Sequence, residues 1–384
     1  MKALIDTNVI LDVLCDRAPF AEDAQTVFRM CEVKRVEGFI SALSVPNIIY
    51  IMRKEIDTEK ISALLKKRKG AAAFSTKRNE KDEFKIVSGL FEGKTTGTPL
   101  CILIENTDTK SADYSKMKSV ARPSHADYAA FLKYHGYNDY RGGGHFSGRI
   151  TAALTAAGAV ALQILERRGV NISTHILSCG DICDRRFENF QKDFEKLSAL
   201  SLPVLDDGAR EKIEERITAA RKAGDSVGGV LETAVTGFPG SVGEPWFDTV
   251  EGVLSHMLFS VPAVKGVSFG AGFDFGKMTG SQANDPFIIK NGKVVSETNR
   301  NGGINGGITN AMPIIINCVV KPTPSIYKTQ KTIDFEKNEQ TELLIEGRHD
   351  PAIIHKAAVV VTAATAIALL DLLSQRFGTD LNGV

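Results

Sequence analysis

Net charge is almost missing from this sequence of 384 residues. Its 47 basic and 46 acidic side chains leave a balance of +1, so no global field draws it to nucleic acid or an anionic membrane. A basic ligand site would have to be local. Cysteine is sparse: six residues, at positions 15, 31, 101, 179, 183 and 318, form no CxxC pair. That pattern excludes a disulfide scaffold or a zinc site and reads as the reduced thiols of a cytoplasmic chain. A signal peptide is a poor reading of the start, because "MKALIDTNVILDVLCDR" breaks its apolar run with Asp6, Asn8 and Asp12. The most apolar segment, "AAVVVTAATAIALLDLL" between Lys356 and Asp371, falls short of the ~20 residues of a membrane span and predicts a buried helix. Repeats and low-complexity tracts are absent too.

What is present is an alternation of helix and strand patterns. Residues 2–5 predict a strand, 22–34 an amphipathic helix and 38–43 a second strand, together a βαβ unit. The texture then changes. A helix over 59–70 ends at Gly70 after four bases, and "FKIVSGLFEG" and "TPLCILIEN" predict two strands joined by "KTTG". The Ala-rich stretch 150–169 predicts a long helix with Arg167 and Arg168 in its last turn and Gly169 just past its end. Strands follow at "GGVLETAVTG", at "FIIKNGKVVSE" with an Asn291-Gly292 hairpin turn, and at "PIIINCVVKP"; "DTVEGVLSHMLF" is a helix between them. The last helix is expected from "DPAII", with Asp350 as N-cap and Pro351 at the first helical position. The reading is one α+β body over 56–384, preceded by a different segment, 1–55.

The ends of these elements carry the chemistry. The stretch 122–149, "RPSHADYAAFLKYHGYNDYRGGGHFSGR", concentrates histidine, basic residues and a run of three glycines. A packed core wants none of these, whereas a surface facing a polar anion does: glycine brings backbone N–H groups close, and Arg supplies a fixed donor fork. Further loops, "AGDSVGG", "GSQAND", "NGGINGGITN", "KPTPS" and "GRHDP", repeat the pattern. Any one of them alone reads as a tight turn. A lone His125 reads as a structural side chain, Asp127 equally as a first-turn helix residue or a site residue, and Asp350 as a helix cap.

In order and spacing, "RPSHADY", "YRGGGHFSGR", "GDSVGG", "GEPWFD", "VPAVKGV", "GGINGGI", "KPTPSI" and "GRHDP" resemble chorismate synthase, over about residue 56 to the C-terminus. This resemblance implies a β-α-β sandwich core, a homotetramer, and anti-1,4-elimination of phosphate from 5-enolpyruvylshikimate-3-phosphate with reduced FMN. NADPH or an external flavin reductase would supply the reduced cofactor. Residue by residue, it assigns Arg122 and Arg149 to the substrate anion and His125 to the reduced flavin. His145, Phe146, Ser147, Gln282, Ala283, Gly306, Lys321, Pro322, Thr323, Pro324, Ser325 and Arg348 fall at flavin contacts, and Asp350 at the aspartate that assists proton removal. His145 stands where many members carry Arg, and Thr362 replaces a common acidic residue, where a packing or interface effect is expected.

Two segments depart further from the pattern. "LLKKRKGAAAFSTKRNE" resembles the family's arginine-rich substrate and nucleotide loop, with Lys66 and Lys67 in place of an Arg pair, Thr76 and Arg78 matching, and Ala73 where Arg often stands. Arg78 would bind substrate, and Lys67 and Ala73 would line an NADP site; a solvated helix end is the plain alternative. Residues 1–55 instead resemble the first part of a PIN domain, the fold of metal-dependent ribonucleases, with Asp6 at its first carboxylate position. The other clustered carboxylates such a site needs have no room before residue 56, so Asp6 reads as a strand-end residue and no metal is expected. The family's opening "GESHG", whose histidine is thought to protonate the departing phosphate, occurs nowhere in the 384 residues.

Overall fold

A computed structural model describes residues 2–5, 13, 19–33, 37–40, 56–70, 82–105, 119–138, 146–345 and 349–378. Backbone contacts divide the chain into two compact units: Met1–Asp57 with Ile86–Cys101 and Phe377–Gly383, and Thr58–Lys85 with Ile102–Arg376 and Val384.

In the first unit, β1 (Lys2–Ile5) and β2 (Glu37–Ile40) pair in parallel, and α1 (Ala21–Glu32) lies between them in sequence. This is the expected βαβ unit. The two strands expected farther on are divided into four: β3 (Phe84–Ser88), β4 (Leu90–Phe91), β5 (Lys94–Thr95) and β6 (Cys101–Ile104). Gly89 breaks the run. It sits at φ +79, and a Cβ there would fall 2.6 Å from the Pro99 carbonyl oxygen.

The second unit is built on a five-stranded antiparallel sheet of order β10-β15-β9-β7-β8. Its strands are β7 (Asn171–Cys179), β8 (Ile182–Cys183), β9 (Gly229–Thr236), β10 (Val264–Phe269) and β15 (Ile314–Val320). Three hairpins, β11 (Phe287–Lys290) with β12 (Lys293–Ser296), β13 (Ile304–Asn305) with β14 (Ile308–Thr309), and β16 (Gln330–Asp334) with β17 (Glu339–Leu343), stand in the loops. The helices are α2 (Thr58–Lys69), α3 (Asp127–Tyr134), α4 (Thr151–Glu166), α5 (Phe190–Ala199), α6 (Asp207–Lys222), α7 (Val250–Phe259), α8 (Gly280–Ala283) and α9 (Ile354–Phe377). The α+β class is as expected.

The long helices meet the sheet and each other through small residues. A Cβ on Gly158 of α4 would lie 2.3 Å from the Ala363 Cβ of α9, so the two backbones touch where glycine leaves space. Thr362 of α9 donates to Thr174 of β7 at 2.7 Å, tying the helix to the sheet. On the sheet's other face, the fully buried His175 lies opposite Glu232 of β9. Its Nδ1 is 3.0 Å from Asp184 and its Nε2 3.1 Å from Glu232. Burial opposes charge on this imidazole, but the two carboxylates more than offset it and raise its pKa.

Two expectations about helices need correction. The last helix starts at Ile354, not at Pro351, because the Pro351 carbonyl accepts the Val227 N–H at 2.8 Å and is drawn away from a helical turn. Asp350 is therefore not its N-cap. That helix also runs on to Phe377, giving 24 residues, and with Gly148–Glu166 it is long and apolar enough to cross a membrane by length and composition. Two-thirds (67%) of its most apolar window is buried inside the protein, the situation of a core helix.

Candidate active site

Lys321 joins two of the loops singled out in the sequence. It follows directly on β15, whose buried Val320 pairs with Val264. Its backbone N–H donates to the Ala263 carbonyl at 2.9 Å. Its ammonium donates to the Ser124 carbonyl, inside "RPSHADY". Burial and, secondarily, the charge of Lys265 lower the Lys321 pKa.

The "RPSHADY" loop is set by pairing and by charge. The segment before it runs beside β16 through the Val120–Asp334 bridge and the Ala121 N–H to Ile333 carbonyl bond, and Phe131 of α3 packs on Phe335 at 4.5 Å. Within the loop, the Arg122 guanidinium grips Asp127 with two bonds of 2.7 Å, and the Arg122 backbone N–H adds a third at 3.0 Å. His125 Nδ1 lies 2.8 Å from Asp127 and 2.9 Å from the Arg122 guanidinium. Burial works against the Asp127 charge, yet Arg122 and His125 hold its carboxyl well below the usual carboxylate range. Asp127 is thus both the first residue of α3 and the clamp of the loop. With Nδ1 engaged by this pair, Nε2 is the imidazole nitrogen left for a ligand.

Two further predicted loops close on the same segment. The Ser226 hydroxyl donates to the Thr323 carbonyl at 2.7 Å, and the Tyr327 N–H to the Gly224 carbonyl at 2.9 Å. A Cβ on Gly228 would meet the Val320 oxygen at 2.5 Å and Pro322 at 2.8 Å, so "GDSVGG" lies flush against "KPTPS". The Val227 to Pro351 bond brings in the segment after Arg348. There Asp350 pairs with Lys356 at 2.7 Å, while burial pushes the neighbouring His355 down to about 4 and keeps it neutral. In the shared segment Ser325 is buried, Pro322 exposed, and Pro324 half-buried.

The other predicted positions are spread more widely. Ser147 opens the turn Gly148–Ile150 by accepting the Arg149 N–H at 3.3 Å; Arg149 is half-buried and Phe146 exposed. Gln282 accepts from the Thr279 N–H at 2.9 Å and so caps α8, where Ala283 is the last residue. Gly306, at φ +60, has open space at its Cβ position. Lys67 lies in the last turn of α2, within the expected helix, its ammonium 2.7 Å from the Ser198 carbonyl. Ala73, Thr76, Arg78, His145 and Arg348, together with Asp6, lie outside the described residues. Sequence reasoning missed Arg68, which is buried against Asp82 at 2.9 Å and reaches Thr151 and Gly148; its place in a basic run concealed it.

A ligand with phosphate and carboxylate groups suits the cations gathered here. The chorismate synthase profile matches residues 50–373. The chain belongs to the chorismate synthase family. It is 45% identical to the chorismate synthase of Thermococcus kodakarensis over 322 residues, covering 84% of this chain and 89% of that protein. It is 47% identical to that of Thermococcus gammatolerans over 323 residues, with the same two coverages, 84% and 89%. A chorismate synthase crystal structure superposes with a TM-score of 0.65 at 26% identity, covering 85% of this chain and 86% of that one. A PIN domain profile also matches, over residues 2–90, so both families claim residues 50–90.

Proposed function

We propose that this chorismate synthase family chain eliminates phosphate from 5-enolpyruvylshikimate-3-phosphate to give chorismate, with reduced FMN as cofactor. The observation that carries the reading is the Lys321 ammonium on the Ser124 carbonyl: it places the Arg122–His125–Asp127 loop beside the "KPTPS" segment, two parts that the family assigns to substrate and flavin. The donor set fits a flavin phosphate or a substrate anion. Among the described residues no carboxylate pairs with Lys321 or Lys265, and the buried Thr323 hydroxyl has no hydrogen-bond partner.

Arg122 and Arg149 would hold substrate anions, and Arg78 would add to them. His125 would present Nε2 to the flavin, and Asp350 would take up a proton, with Lys356 keeping its carboxylate in place. The backbone of 321–325, with Gln282, Ala283, Gly306, Phe146, Ser147, His145 and Arg348, would complete the cofactor site. Bound reduced flavin would supply an electron-rich ring that promotes loss of the phosphate without net redox change. NADPH, at Lys67 and Ala73, or an external reductase would maintain that ring. A homotetramer in the cytoplasm completes the reading, with residues 1–55 as a PIN-like addition to the domain over 56–384.

The test is calorimetric titration of the full chain with FMN, with and without the phosphorylated substrate, followed by a turnover assay with chemically reduced FMN. Saturable binding that tightens with substrate is expected. Absence of saturable binding at micromolar protein would reject the flavin reading.

A further inference from the structure

Lys265, inside "VPAVKGV", was given no role above, yet the strand register sets it close to Lys321. Strands β10 and β15 pair Val264 with Val320 and Gly266 with Val319, leaving Lys265 as the extra residue of a β-bulge. A bulge of this kind redirects a side chain and is often found next to active sites. Lys265 is exposed, as is Val319 at 40%. The Lys321 N–H bonds the Ala263 carbonyl, one residue on from the Val264–Val320 pair, so the register brings Lys321 to the residues that flank Lys265. The two lysines are close enough for the charge of Lys265 to disfavour that of Lys321.

The backbone around this pair is held in a costly conformation. Lys321 makes one bond through its N–H, to Ala263, and one through its ammonium, to Ser124. Both acceptors belong to non-glycine residues at positive φ, +74 for Ala263 and +59 for Ser124. Strain of this sort persists where the surrounding structure enforces it, and it collects at ligand sites. Nearby, Arg122 is balanced by Asp127, while Lys265 and Lys321 have no carboxylate partner among the described residues. Two like charges brought together without a counterion leave a local excess of two positive charges.

We propose that Lys265 and Lys321 form a two-lysine cradle for a phosphate monoester dianion, whose two negative charges match that excess. The inference rests on the proposed function and adds Lys265 as a binding residue of that site. The phosphate would belong either to FMN or to the phosphorylated substrate, and the chemistry of the cradle is the same for both.

The experiment is calorimetry of the full chain and of its Lys265→Gln and Lys265→Arg variants with FMN, riboflavin and inorganic phosphate, together with the substrate KM. If the cofactor supplies the phosphate, Lys265→Gln weakens FMN binding roughly tenfold, about the loss of one charge-assisted hydrogen bond, and leaves riboflavin unchanged. If the substrate supplies it, the same variant weakens inorganic phosphate and raises KM by a similar factor at constant kcat, with both flavins unaffected. Lys265→Arg retains binding in either case. A Lys265→Gln protein that binds FMN, riboflavin and phosphate like the unmodified chain, at unchanged KM, overturns the cradle alone. An unmodified chain that binds neither FMN nor phosphate overturns the cradle and the underlying function together.

Discussion

Asp127 shows how one carboxylate can organise a site. It takes three hydrogen bonds from Arg122 and faces His125, and its side chain is only 14% exposed, so removing its charge strands a guanidinium in a dry setting. Asp127→Asn should cost roughly 2–3 kcal/mol at pH 7. The pH dependence follows from the direction of its shift. A carboxyl held below its unfolded value of about 3.9 contributes stability above that pH and loses it as pH falls towards the lower folded value. Thermal melts of the wild type and Asp127→Asn should therefore differ most near neutrality and converge well below pH 4. Equal gaps at both ends would mean the carboxylate charge does not hold the loop. In sequence, Asp127 read equally as a helix first-turn residue or a site residue, because its two partners lie within five residues and nothing in the spacing shows which way a guanidinium folds.

At the scale of elements, most strands and helices were legible because local rules fixed them: the Asn291-Gly292 hairpin, with φ of +52 and +74, and Gly169 at φ +75 beyond α4 are examples. The failures have tertiary causes. The start of α9 moved because Val227, far away in sequence, claims the Pro351 carbonyl, and the buried trio of His175, Asp184 and Glu232 went unread because its members meet only in the folded sheet. That trio predicts a pH effect. The raised pKa of His175 makes its contribution complete below an unfolded value of about 6.5 and lost as pH rises through the folded value. His175→Gln should be less stable by about 3 kcal/mol at pH 6, with the gap to wild type narrowing at higher pH in urea melts. A constant gap would show that packing alone is involved. Between α4 and α9, Gly158→Val should cost at least about 1–3 kcal/mol by overpacking. Adding Ala363→Gly should not rescue it, since the Ala363 Cα and carbonyl oxygen would still lie 2.6 and 2.7 Å from the new Cβ; a full rescue in the same melts would show that the helices can move apart.

For the whole molecule, the decisive question is what the PIN-like start does to a chorismate synthase body. The loops "RPSHADY", "GDSVGG" and "KPTPS" stand out in the sequence because each is a short run with its own chemistry, whereas their convergence around Lys321 depends on a strand register that no local pattern displays. The PIN match over 2–90 and the chorismate synthase match over 50–373 share residues 50–90, and the sequence before residue 50 follows the PIN pattern rather than the chorismate synthase one. None of the seven histidines stands in a "GESHG" context. General acid catalysis is typically worth about 10²–10⁴-fold. The chain is therefore expected to bind flavin through its later loops but to turn over slowly, by about that factor, relative to a chimera in which residues 1–55 are exchanged for a "GESHG"-bearing family start. Single-turnover measurements with reduced FMN separate this chemical loss from a change in affinity. If the unmodified chain matches the chimera, another group protonates the leaving phosphate, and the histidine of the family's opening motif is dispensable on this scaffold.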